Sequence, residues 1–160
     1  MLTDLGVAAA IILAAAALVV SLTKGDAAAP GAAAVTPNLI EADRSLCEAI
    51  EPLIKESSAQ KNAFVALGRT GTPERDAGIA EFASQTKDWV GRSQDVLDDH
   101  SEPPRYLTRT LQRYIDDMRL YAASLRPGPA ADADTAAWTD SLVALSGPFE
   151  VCGDLGVELW

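Results

Sequence analysis

Four segments of this chain repeat their apolar residues every three or four positions, and no other sequence feature constrains the fold as strongly. The clearest segment lies between Pro103-Pro104 and the "RPGP" turn. Its apolar positions are Leu107, Leu111, Tyr114, Met118, Tyr121 and Leu125. Because an α-helix turns once in about 3.6 residues, these side chains form one stripe that has to pack against another element. The segment is predicted to be an amphipathic helix that contributes to a core.

The other three segments show the same spacing. The first helix is expected to start at Thr36-Pro37 and the second at Thr72-Pro73, since each pair offers a capping threonine followed by proline at the first helical position. The fourth helix is expected to start near Asp134. Their predicted core residues are Leu39, Leu46, Ile50, Leu53, Phe64 and Leu67 in the first, Ile79, Phe82, Thr86, Trp89, Ser93 and Val96 in the second, and Trp138, Leu142 and Leu145 in the fourth.

Glycine and proline mark the expected interruptions of these helices. Pro52 removes a backbone donor from the first segment, which predicts a kink or a break just before it. Gly68 is expected to close the same helix, and Gly147-Pro148 to end the fourth. Strand signals are nearly absent, because no stretch alternates apolar and polar residues between turn dipeptides. The pattern therefore predicts an antiparallel, four-helix-bundle-like domain.

The N-terminal residues predict a membrane anchor. Residues 5–22 include no charged residue, and as a helix they would be about 27 Å long, close to the roughly 30 Å of a hydrocarbon core. We expect a transmembrane signal-anchor helix over residues 1–24, an Ala/Gly/Pro linker over 25–35, and the helical domain over 36–160. A cleaved secretory signal is the alternative, but the "MLTD" flank lacks Lys and Arg and Pro30 follows the candidate cleavage site.

Small residues recur along the predicted span. Gly6, Ala10 and Ala14 share one face at four-residue spacing, which would let a second transmembrane helix approach closely. They are candidates for helix pairing in the membrane, although alanine is common throughout this segment. By the positive-inside rule, Lys24 weakly favours a cytoplasmic location for the C-terminal domain. The two cysteines favour a location outside the cytoplasm. We therefore predict a single-pass protein of the cell membrane with its C-terminal domain outside the cytoplasm.

The two cysteines of the chain each lie on an apolar face. Cys47 is seven residues from Ile40 and from Ile54, on the flank of the first predicted stripe. Cys152 shares a helical face with Phe149 and Leu155. In an exported chain such a pair favours a structural disulfide, which would stabilise the fold by about 4 to 5 kcal/mol on the chain-entropy model. Two unpaired buried thiols are the alternative.

One polar ridge and one terminal aromatic residue are candidate contact sites. Arg105, Arg109 and Arg113 recur every four residues on the third predicted helix, away from its tyrosines. Such a ridge could meet an acidic partner or an anionic group, or it could be ordinary surface in which Arg113 pairs with nearby aspartates. Trp160 is expected either to dock on the bundle or to anchor a partner.

Composition and missing motifs exclude several function classes. The formal charge of −10 argues against nucleic acid, since binding to phosphates needs clustered lysine and arginine. The chain has one histidine, no GxSxG, no HExxH and no glycine-rich phosphate loop, so neither catalysis nor a metal or cofactor site is expected.

Three hypotheses about function are left open by the sequence. The first is an accessory or adaptor module that interacts with another membrane or envelope protein. The second is a helical bundle that binds or senses a small molecule. The third is a phage-encoded envelope or lysis-associated membrane protein, a contextual version of the first that rests on the alanine-rich, arginine-biased composition.

Overall fold

The computed structural model describes residues 38–160, which form five helices. They are α1 (Leu39–Ala66), α2 (Pro73–Ala77), α3 (Ile79–Asp99), α4 (Tyr106–Ser124) and α5 (Asp132–Asp154). No strand occurs among these residues, so the all-α prediction is confirmed for this part of the chain. Within it, no helix combines the length and the apolar character that a membrane crossing requires. The predicted anchor, the linker and the candidate pairing residues Gly6, Ala10 and Ala14 lie outside the described residues.

The four long helices form an antiparallel bundle in the order α1, α3, α4, α5, and α5 returns beside α1. Side-chain contacts fix each direction, since residue numbers rise in one helix as they fall in its neighbour. The pairs are Leu53–Trp89 and Phe64–Phe82 between α1 and α3, Phe82–Tyr121 and Gln94–Gln112 between α3 and α4, and Cys47–Cys152 and Lys61–Trp138 between α1 and α5. The predicted antiparallel bundle is confirmed.

The predicted disulfide is present. Cys47 and Cys152 form one bond with their Cα atoms 5.5 Å apart, and both residues are fully buried. Within the described residues no free cysteine remains. The bond joins the first part of α1 to the last turn of α5, and Arg44 reinforces this junction by donating to the Leu155 carbonyl at 2.8 Å.

Pro52 does not break α1. The helix runs continuously from Leu39 to Ala66 with Pro52 inside it, so the expected break is wrong. Pro52 lies on the exposed side of the helix, as does Glu48, whose carbonyl loses its partner. Water can satisfy a carbonyl in that position, and the buried stripe on the opposite side holds the helix together.

The expected stop at Gly147-Pro148 is also wrong, because α5 continues to Asp154. Gly147 serves a close helix–helix approach instead: a Cβ atom there would lie 2.7 Å from the Thr110 hydroxyl of α4. Gly156, two residues after the end of α5, has a φ of +78°, the left-handed conformation that favours glycine after a helix. The following tail folds back, and Leu159 is buried against the bundle.

Three further details of the helix map differ from the prediction. Asn38 caps α1 by accepting from the Glu41 backbone N–H, so the described helix starts after the Thr36-Pro37 pair. The pair Thr72-Pro73 starts only the five-residue α2, and the second long helix begins at Ile79. Of the predicted core residues, three are instead substantially exposed: Leu39, Leu67 and Leu142. The first two lie at the ends of α1, where no neighbouring helix covers the apolar stripe of this helix.

Candidate functional site

Arg105 is a buried structural residue and no part of a surface ridge, which corrects the prediction. Its side chain is 7% exposed and forms an ion pair with Asp43 of α1. It also donates to the Ala42 carbonyl at 3.0 Å and to the carbonyls of His100 and Pro103. The guanidinium therefore ties the start of α4 to α1 and to the turn before it.

Arg109 and Arg113 are exposed, as predicted, but only Arg113 has acidic neighbours within ion-pair distance among the described residues. It lies 3.6 Å from Asp117 and 3.9 Å from Asp140. Partial burial raises the pKa of Asp117 against the opposing effect of Arg113. These exposed pairs contribute little stability, and the two arginines form no concentrated anion site.

Trp160 docks on the bundle, which is one of its two predicted alternatives, and its role as an anchor for a partner stays a prediction. Its ring packs on Phe149 with centroids 4.7 Å apart, yet the residue is 75% exposed. Leu142 lies seven residues before Phe149 on the same side of α5, and Ile40 lies seven residues before Cys47 on the side of α1 that faces α5. Ile40, Leu142, Phe149 and Trp160 thus lie along the side of the bundle where α1 and α5 meet. We call these four residues the seam surface.

A buried lysine lies between this junction and the core. The Lys61 ammonium donates to the Tyr114 hydroxyl at 3.0 Å, and that hydroxyl shares a 2.8 Å hydrogen bond with Ser57. The ammonium also lies 6.0 Å from the centre of the Trp138 ring, while no carboxylate of the described chain pairs with it. Burial lowers the pKa of Lys61 to about 8 and raises the pKa of Tyr114 to about 12.

A cavity of about 200 Å³ lies between the end of α1, the short α2, the end of α4 and the start of α5. Its apolar wall consists of Phe64, Val65, Ile79, Leu125, Ala130 and Trp138. Its polar wall consists of Thr70, Arg75, Asp76, Tyr121, Arg126, Asp134 and Thr135. The cavity therefore combines aromatic surface with two cations and two carboxylates.

Asp134 is the most buried acid of this wall, at 4% exposure. One oxygen, Oδ2, accepts from the Ala131 N–H at 3.2 Å. The other, Oδ1, has no hydrogen-bond partner among the described residues, and Arg126 lies 3.8 Å from it. The nearby Ser124 hydroxyl, the Ala131 N–H and the Arg126 guanidinium hold the pKa of Asp134 below its usual value, so the carboxyl is ionised at neutral pH.

Asp76 and Arg75 show the same incomplete pairing. Asp76 accepts from the Gly128 N–H through Oδ2, while its Oδ1 is buried without a hydrogen-bond partner among the described residues. Arg75 is 8% exposed, lies 3.4 Å above the Phe64 ring and donates to the Phe64 carbonyl. No carboxylate of the described chain lies within ion-pair distance of it. Burial raises the pKa of Tyr121, which Arg75 opposes.

Comparison with protein-family models, with curated proteins and with solved structures finds no match. The site is therefore interpreted from its own geometry. Within residues 38–160, no group of three or more His, Cys, Asp or Glu side chains is placed to hold a metal ion.

Sequence reasoning missed the charged residues of the cavity and the buried lysine, although it placed the apolar lining residues Phe64, Ile79 and Trp138 in the core. A signal for Lys61 was present, because it continues the seven-residue line of Ile40, Cys47 and Ile54 along α1. A charged residue on such a line is either buried or at the edge of the stripe. No comparable signal marks Arg75 or Asp134, since helices distant in sequence bring them together.

Proposed function

We propose that this chain is a membrane-anchored, extracytoplasmic interaction module that acts as an accessory or adaptor subunit of a membrane or envelope assembly, without a catalytic role. The supporting observation is the seam surface. Three of its members are strongly exposed: Ile40 at 64%, Leu142 at 47% and Trp160 at 75%. Large apolar side chains grouped along one junction are typical of a surface that a partner covers.

The shape of the seam surface suits a helix as partner. Helices α1 and α5 run antiparallel, with Ile40 on the α1 side of their junction and Leu142 and Phe149 on the α5 side. A partner helix laid along this junction would present side chains at positions i, i+3, i+4 and i+7 to these residues. The proposed partner segment is one amphipathic helix of another membrane or envelope protein.

The charges of α5 indicate the chemistry of that helix. Helix α5 has no Lys or Arg, and its exposed acids Asp132, Asp140, Glu150 and Asp154 give the helix a negative charge, although they lie on other sides of α5 than Leu142 and Phe149. A partner helix that carries lysine or arginine would be attracted by this charge at longer range, since opposite charges favour encounter. An anionic bilayer would be repelled by it.

The disulfide supports the proposed compartment. Such bonds persist in oxidising environments and are rare in a reducing cytoplasm. The Cys47–Cys152 bond lies beside the seam surface, where it holds α5 against α1. The proposal covers a cellular and a phage-encoded envelope assembly alike.

A photo-crosslinking residue placed at Leu142 of the full chain, in cells of its source, tests this function. We expect one crosslinked partner, with the crosslinked peptide in an amphipathic helix that carries basic residues. Leu120 is the matched control site, because it is 61% exposed on α4 and outside the seam surface. Trp160→Glu should abolish the product at position 142.

Equal, diffuse crosslinking from both sites would contradict the proposal. So would recovery of the uncrosslinked chain as a lone monomer after gentle detergent extraction. Either result would mean that the seam surface is uncovered in the cell.

A further inference from the structure

Beyond an interaction role, we propose that the cavity at the junction of α2, α4 and α5 binds a small zwitterion with an apolar side chain, of the α-amino acid class. The sequence leaves a small-molecule-binding bundle open without indicating where a ligand would lie. The structure supplies a place with both charges and an apolar wall.

The acidic side of the cavity calls for a cationic donor. Asp134 is 4% exposed, and its Oδ1 has no hydrogen-bond partner among the described residues; the same is true of Oδ1 of Asp76. Buried carboxylate oxygens are nearly always paired, since an unpaired one costs the desolvation of a charge. Both atoms can only accept hydrogen bonds. An ammonium group supplies three hydrogen-bond donors.

The basic side calls for an anion. Arg75 uses one nitrogen on the Phe64 carbonyl, and none of the described carboxylates lies within ion-pair distance of its guanidinium. A guanidinium carries five N–H donors in a planar fork that fits a carboxylate. Arg75 and Asp134 both line the cavity and form no ion pair with each other. A ligand that carries both a positive and a negative charge would pair with the acidic side and with the basic side of the cavity.

The remaining wall selects for an apolar side chain. Ile79, Leu125 and Trp138 line the cavity, whose volume of about 200 Å³ admits a molecule of amino-acid size. Small-molecule sites typically combine apolar walls with a few convergent polar groups. Arg126 covers Asp134 at 3.8 Å with a side chain that is 63% exposed, so it can move aside when a ligand enters.

Titration with three matched probes tests the proposal on the folded domain with its disulfide intact. The probes are L-leucine, 3-methylbutylamine, which lacks the carboxylate, and 4-methylpentanoate, which lacks the ammonium group. We expect L-leucine to shift the Trp138 indole N–H resonance, and each analogue to bind at least about tenfold more weakly, since each leaves a buried charge unpaired.

Two variants and one control place the binding in the cavity. Asp134→Asn and Arg75→Met should each weaken L-leucine binding by about tenfold or more, the first while it preserves the shape of the wall. Asp132→Asn, on the same turn of α5 but exposed and outside the cavity, should leave binding unchanged. The Trp89 indole resonance reports whether each variant is folded, because Trp89 is fully buried away from the cavity.

Two results would overturn the proposal. One is the absence of any Trp138 shift with L-leucine up to about 10 mM in folded protein, which would mean that Arg126 merely closes on Asp134. The other is binding of the amine as tight as that of L-leucine, which would remove the role of Arg75. Neither result bears on the seam surface, so the interaction function stands or falls separately.

Discussion

The two ends of the bundle differ in how completely their polar groups are paired. We call the end that holds the Cys47–Cys152 bond the closed end and the end that holds the cavity the open end. At the closed end Arg105 spreads its donors over three carbonyls and Asp43. At the open end three buried atoms lack hydrogen-bond partners among the described residues: Thr72 Oγ1, Asp76 Oδ1 and Asp134 Oδ1.

This difference separates stability from binding within one small domain. A covalent bond and a saturated hydrogen-bond network stabilise the folded state, because they leave no buried group unpaired. Buried polar atoms without hydrogen bonds and empty volume destabilise it, so their presence at one end points to a ligand that completes them. We therefore expect substitutions at the closed end to change stability and those at the open end to change binding.

Removal of the disulfide should give the largest effect on stability. The Cys47→Ser/Cys152→Ser variant frees a loop of 105 residues and should lower the free energy of unfolding by about 4 kcal/mol. Chemical denaturation of the oxidised wild type and of the variant measures this difference. The reduced wild type is the control. A loss below about 1 kcal/mol would show that the closed end does not depend on its crosslink.

Loss of the Arg105 side chain should rank second. Arg105→Ala leaves Asp43 and three carbonyls without their donor, which should cost about 3 kcal/mol. Arg109→Ala, one turn further along α4, is the control: Arg109 is exposed, so its change should stay within about 0.5 kcal/mol. Equal losses of stability in the two variants would contradict this prediction. They would mean that Arg105 and Arg109 are equivalent residues, as the arginine ridge in the sequence suggested.

Lys61, toward the open end, should affect stability in the opposite direction, because its replacement is expected to raise the free energy of unfolding. Its pKa in the fold is about 8 against an ordinary value of 10.5, so between these pH values the unfolded chain holds more protons and stability rises with pH. Above pH 10 the raised pKa of Tyr114 reverses the trend, because the unfolded tyrosine ionises first. The stability of the wild type should therefore reach its maximum near pH 10.

Replacement of Lys61 checks this assignment. Lys61→Met should raise the free energy of unfolding at neutral pH by about 2 kcal/mol and remove the rise between pH 8 and pH 10.5. Lys55→Met, at a largely exposed position on the same helix, should keep the wild-type pH profile. Denaturation midpoints across this pH range provide the measurement; a Lys61→Met profile that still rises would assign the effect to another group.

A matched pair of threonines should give the smallest effects. At the closed end the Thr108 hydroxyl accepts from the Arg105 N–H at 3.0 Å and donates to its carbonyl at 2.9 Å, so Thr108→Val should cost about 1 kcal/mol. At the open end the Thr72 hydroxyl is unpaired, so Thr72→Val should be neutral or slightly stabilising. Melting temperatures suffice for this comparison, and a larger loss at position 72 would contradict it.

The sequence predicted the closed end far better than the open end. Apolar spacing identified the stripes of the four long helices, and the faces of Cys47 and Cys152 indicated their bond. The same reasoning failed at Arg105 and at Gly147, because burial of a charge and close approach of two helices depend on the neighbouring helix. The cavity was invisible for the same reason, since Arg75 and Asp134 lie far apart in the chain.

One helix links the two ends. Because α1 runs through Pro52 without a break, its 28 residues form a continuous rod about 42 Å long. Asn38, where the described chain begins, lies at one tip of the rod, and Phe64 at the wall of the cavity lies near the other. The cavity wall and the first described residue therefore lie near opposite tips of α1, separated by about the length of this helix.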